Sequence, residues 1–192
     1  MYKIFLLVLA SLFSLNTFAA DQKGKFYIAA DLGTVAYQDA TVRINGTLNT
    51  FPNPGALIIA GGYYFTPIAA AEIGYASAGK SILKGTSGDV TLEAKSITFA
   101  ARVNHEIASQ TQLFGKIGLA ANSYTEKTSG TLVFADGSTS FSGSESSLMY
   151  GFGLSYATTD SVSLQAQYIN YGKFASTGAS ATSFSFGIAY NF

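Results

Sequence analysis

From residue 183 to its end the chain alternates, with Phe184, Phe186, Ile188, Tyr190 and Phe192 separated by Ser183, Ser185, Gly187, Ala189 and Asn191. A β-strand turns successive side chains to opposite faces, so this stretch predicts a strand with one large apolar face and one face of small residues. Seven earlier segments repeat the pattern, at 26–37, 56–65, 68–78, 93–104, 112–124, 148–156 and 162–170. In the first, Phe26, Ile28, Ala30 and Leu32 share one face, and Tyr27, Ala29, Asp31 and Gly33 share the other. Four charges fall on the small-residue faces: Asp31, Glu72, Arg102 and Lys116. A charge pointing into lipid is very costly, so those faces should line an interior. The connections alternate in length: 38–55, 80–92, 125–147 and 171–182 are long, and 66–67, 105–111 and 157–161 are short. Pro52, Pro54 and Pro67 all lie in connections, as residues that cannot donate to a ladder should. The expected fold is all-β: an eight-stranded antiparallel up-and-down transmembrane β-barrel.

Composition decides which face meets lipid. The chain is 48% hydrophobic but only 11% charged, against roughly 25% in soluble domains. Beyond the N-terminus no run approaches the roughly 20 apolar residues that a membrane helix needs. The apolar surplus therefore sits in the alternating strands, with the large residues outside. A soluble barrel would bury its large residues and expose its charges. Tyr63, Phe65, Tyr156, Tyr168, Tyr190 and Phe192 recur near strand ends, where an interfacial aromatic girdle belongs. The formal net charge is zero, which leaves no basic stripe for nucleic acid. Without cysteine there is no disulfide, thiolate metal site or lipid-accepting thiol.

The N-terminus reads as an export address. Lys3 precedes an apolar core at 4–15, broken only by Ser11 and Ser14, and Thr17-Phe18-Ala19 supplies a small-x-small cleavage site. Residues 1–19 are the expected cleaved signal peptide, and 20–192 the barrel domain.

Several patches resemble one family. They are Phe26-Tyr27-Ile28-Ala29-Ala30-Asp31-Leu32-Gly33, Gly62-Tyr63-Tyr64-Phe65-Thr66-Pro67, Ala71-Glu72-Ile73-Gly74-Tyr75, Leu113-Phe114-Gly115-Lys116-Ile117-Gly118 and Tyr150-Gly151-Phe152-Gly153-Leu154-Ser155-Tyr156. They resemble the small outer-membrane barrels of the OmpX/OmpA type, the porin-like outer membrane protein β-barrel family. Ser185, Gly187, Tyr190 and Phe192 match position for position the closing-strand signal of such barrels, which the barrel assembly machinery reads. The resemblance implies a bacterial outer-membrane location, both termini in the periplasm, and a surround of outer-membrane lipid and lipopolysaccharide. With the chain stopping at Phe192, no peptidoglycan-binding domain is expected.

Three functional classes remain. Eight strands enclose an interior just wide enough for side chains, so Asp31 and Glu72 should pair with Arg102 and Lys116 in a packed lumen. Gln165, Gln167, Asn104 and Tyr64 should complete the hydrogen bonds. Function would then lie on the long loops, for envelope integrity or for adhesion to a host or cell-surface ligand. The same four charges could instead line a narrow channel. An enzyme acting on lipid A is the remote alternative, because His105 is the single histidine and falls by this register in a short turn beside Glu106. No catalytic residue, cofactor or metal site is expected, since the loop acids Asp39, Asp89, Glu126, Asp136 and Glu145 are scattered. Lys80, Lys84 and Lys95 are placed near the loop rim, where they could meet lipid phosphates.

Overall fold

The computed structural model describes residues 24–44, 47–132, 137–174 and 178–192. The expected signal segment, 1–19, lies outside these residues. The strands in chain order are β1 (Phe26–Gln38), β2 (Thr41–Ile44), β3 (Thr47–Thr50), β4 (Gly55–Tyr64), β5 (Ala69–Ala78) and β6 (Ser81–Gly85). They continue with β7 (Gly88–Ala108), β8 (Thr111–Thr128), β9 (Ser140–Ala157), β10 (Val162–Lys173) and β11 (Ser180–Asn191). Eight of them form a closed antiparallel ring in the order β1, β4, β5, β7, β8, β9, β10, β11, and β11 returns to β1 from Tyr27↔Asn191 to Gln38↔Ser180. Both described chain ends meet at one rim, where the Phe192 N–H donates to Phe26 O at 2.9 Å.

Alternation sorts the side chains by face. Leu32 is 70% exposed while its neighbour Asp31 is 1% exposed, an inversion of the soluble rule that holds around the whole ring. The interior is narrow, so many inward positions carry glycine or alanine. At Gly62 a Cβ would run into the Tyr27 ring, and at Gly187 into the Asp31 carboxylate.

Strand lengths differ from the sequence expectation. The connection expected at 80–92 is a hairpin, β6 paired with β7 from Ser81↔Leu92 to Gly85↔Gly88 around Thr86 and Ser87. The one expected at 125–147 contracts to 129–139, because β8 and β9 stay paired as far as Lys127↔Ser140. The one at 171–182 contracts to the residues between Lys173 and Ser180, and 38–55 holds the small hairpin β2–β3. Beyond the apolar band the outward faces of these strands turn largely polar, so the hydropathy contrast that marks a lipid-facing strand fades while the backbone ladder continues. His105 is also corrected: it lies within β7 opposite Leu113, and the turn is at Ser109 and Gln110.

The ring is uneven at the rim away from the termini. There β9 loses its β10 partner above Tyr150↔Asn170, while β6, β7, β8 and β9 go on as a four-stranded wing.

Candidate functional site

Two places could carry function, the lumen and the wing. In the lumen Glu72 is the hub. Lys116 Nζ donates to its Oε1 at 2.7 Å, Tyr27 OH donates to its Oε2 at 2.6 Å, and Arg102 Nη1 stands 3.9 Å from Oε2. Arg102 Nε donates to Asn104 Oδ1 at 2.8 Å, and Asn104 Nδ2 donates to Tyr64 OH at 3.2 Å. The guanidinium lies 3.9 Å from the centre of the fully buried Phe114 ring, a cation–π contact shielded from water.

Asp31 is held apart from these cations. Gln165 Nε2 donates to both of its oxygens, at 2.9 and 3.0 Å, and Gln167 Nε2 to Oδ2 at 3.0 Å. Among the described residues no cation comes within ion-pairing distance of it. Both cations that the sequence places inside thus converge on Glu72, while Asp31 relies on amides. Tyr27 and Phe114 were missed. Alternation points both inward, but only the register around the ring puts them beside Glu72 and Arg102.

Toward the far rim the interior turns apolar, with Val35, Leu92, Met149 and Ile169 buried. Phe174 closes this end, its ring 5.3 Å from Tyr37 and 5.7 Å from Tyr124. Asn122 Nδ2 ties β8 to the end of β10 by donating to Tyr171 O and Lys173 O. Beneath Phe174 a cavity of about 30 Å³ remains, enough for water and too little for a solute.

The other expected site residues lie on β11 or just past its end, two turned inward and two outward. Ser185 is fully buried beside Asp31's strand, and Gly187 makes room for Asp31 itself. Tyr190 and Phe192 face outward, edge to face at 5.0 Å. Among the described residues no three metal-ligating side chains converge.

The wing offers backbone. The Thr128 N–H donates to Thr139 O at 2.9 Å, and antiparallel pairs alternate between hydrogen-bonded and non-hydrogen-bonded. Counting along the register, Tyr124↔Gly143 and Asn122↔Glu145 are bonded pairs, while Thr125↔Ser142 and Ser123↔Ser144 are not. The short Thr125 Oγ1 to Ser142 Oγ separation, 3.1 Å, fits the closer side chains of a non-bonded pair. Ser142, Ser144 and Ser146 therefore turn their N–H and C=O groups away from β8, toward the side where β10 has already ended. Among the described residues nothing but β8 pairs with that stretch, which is an open sheet edge.

A closed ring with large apolar residues outside and charges inside is the architecture of a membrane barrel, and the sequence match agrees. The model of the outer membrane protein beta-barrel domain matches residues 5–192. This chain belongs to that family. No curated protein sequence matches it. Among solved structures, Neisserial surface protein A is similar at 21% identity and a TM-score of 0.62, over 87% of this chain and 97% of that one. Ail, the attachment invasion locus protein of Yersinia pestis, is similar at 17% identity and a TM-score of 0.58, over 88% and 99%. OprG from Pseudomonas aeruginosa is similar at 13% identity and a TM-score of 0.59, over 92% and 99%. At these identities the likeness is one of fold. As a family member the chain presents its outward apolar band to outer-membrane lipid, with the polar lumen network inside that band.

Proposed function

We propose that this protein is a surface-interaction barrel: a plugged stem in the outer membrane that offers the open edge of β9 to an extended segment of a partner. In this reading residues 1–19 are removed on export, both termini face the periplasm, and the wing stands outside the cell. Ser185, Gly187, Tyr190 and Phe192 are what the assembly machinery reads on the closing strand, and Lys80, Lys84 and Lys95 border lipopolysaccharide. The observation that carries the reading is the edge at residues 142–146, paired with β8 alone among the described residues. Natural edges are blunted by proline, bulges or charges; this one has no proline, lysine or bulge and a single charge, Glu145, among small serines and Gly143. An added strand would find backbone partners there with little steric resistance. Ail's name speaks of attachment for that protein, which makes adhesion the first activity to assay.

Ser144→Pro tests this directly. It removes an N–H that points to the open edge and leaves the β8 ladder alone. Cells displaying the variant should lose adherence and serum survival while the barrel keeps its heat-modifiable gel migration. Unaltered adherence by a folded Ser144→Pro barrel would refute strand addition.

A further inference from the structure

The inner face of the wing is chemically unlike its outer face. Outward from β9 stand Ser142, Ser144 and Ser146, beside Ser123 and Thr125 of β8. Inward stand Phe141, Gly143 and Glu145, opposite Glu126, Tyr124 and Asn122. Phe141 is half exposed, with its ring 6.1 Å from that of Tyr124. At Gly143 a Cβ would come within 2.7 Å of the Tyr124 ring, so the absence of a side chain lets that ring lie across β9 toward the edge. Glu126 and Glu145 flank Tyr124 on this inner face, two positions along β8 and diagonally across on β9; burial first, and then these two carboxylates, push its phenol above its ordinary value. Partial burial also pushes the Glu126 carboxyl up. Among the described residues neither carboxylate has an ion-pair partner. Two acids and two rings around one strand edge form a surface complementary to cations.

We propose that the strand added to β9 is basic on its inner face: an extended segment with Lys or Arg at alternate positions, whose cations lie against Glu145, Glu126 and the rings of Phe141 and Tyr124. The inference rests on the strand-addition reading and specifies the partner that reading leaves open. Side chains of an added strand alternate in step with those of β9. Its outer positions meet serines and tolerate any small polar residue. Its inner positions meet carboxylate and π-face, where opposite charge and cation–π contact both favour an ammonium or guanidinium. A second copy of this chain is a poor occupant, because its β9 would bring another Glu145 carboxylate to the same face.

The probes are three synthetic peptides of equal length, alternating Lys-Thr, Gln-Thr and Glu-Thr. Each is titrated onto the full-length barrel in phosphatidylcholine nanodiscs, whose zwitterionic lipid does not attract the basic peptide. The Lys-Thr peptide should bind about tenfold more tightly than Gln-Thr, the sum of one cross-strand charge pair with Glu145 and a ring contact, and Glu-Thr should bind least. The double variant Glu126→Gln/Glu145→Gln should erase that order while still binding all three weakly. Equal binding of Lys-Thr and Gln-Thr to the unaltered protein overturns the inference and leaves strand addition standing. Lys-Thr binding that survives Ser144→Pro unchanged overturns strand addition, and the inference with it. No binding of any peptide at millimolar concentration also overturns the inference.

Discussion

Glu72 collects two hydrogen-bond donors and a nearby guanidinium in the lumen, and Asp31 collects only amides, so the two carboxylates should respond differently to substitution. Lys116→Met leaves Glu72 buried with its nearest cation gone, at a cost of about 3–5 kcal/mol. The expected outcome is a large drop in the urea midpoint of the barrel refolded in liposomes, read by gel migration. An unchanged midpoint would mean that the ion pair contributes nothing to stability. Asp31→Asn strands no cation, and the Gln165 and Gln167 carboxamides can turn to offer an oxygen to the new amide. Its midpoint should fall less than that of Lys116→Met, and a larger fall would mean that Asp31 carries charge balance after all. All four charges were legible in the sequence, because a charge at a small-residue position of an alternating strand has only the interior to face. Which charge meets which was not legible. Lys116 and Glu72 lie on strands that are not neighbours, β8 and β5 with β7 between, so their contact reaches over β7 along the inner wall.

At the scale of the strand, number and order were legible, and reach was not. The closing strand read from 183 to 192 is β11, which begins three residues earlier at Ser180 and ends at Asn191, and the alternation of long and short connections follows the ring. The wing was hidden because hydropathy reports lipid, and residues 140–147 have none to face. Serine and glycine there have low strand propensity in isolation, and pairing with β8 overrides it. The alternation of bonded and non-bonded pairs yields a paired test. Ser144→Pro should refold with nearly normal stability, whereas Glu145→Pro deletes a ladder hydrogen bond to β8 and should cost about 1 kcal/mol or more. Proteolysis of the two variants at the wing provides the readout, with faster cleavage expected for Glu145→Pro. Faster cleavage of Ser144→Pro instead would mean that the bonded and non-bonded positions are reversed.

For the molecule as a whole, a filled interior predicts electrical silence. Side chains from Tyr27 to Phe174 occupy the axis, and the space left beneath Phe174 admits water alone. Purified protein in a planar bilayer should show no discrete conductance steps, and regular steps that change with Arg102→Gln would restore the channel reading. The seam between β1 and β11 governs how the barrel can be made. Its first pair, Tyr27↔Asn191, joins residues almost a full chain length apart. Contact order is therefore close to its maximum at the seam that completes the fold, and such closures are slow because loop entropy is lost before any contact repays it. Until the final segment arrives, the nascent sheet exposes two full-height rows of unpaired amides that hydrocarbon cannot solvate. Insertion into lipid is thus all or nothing: a chain lacking β11 is no smaller barrel but an unclosed sheet with no stable place in the bilayer.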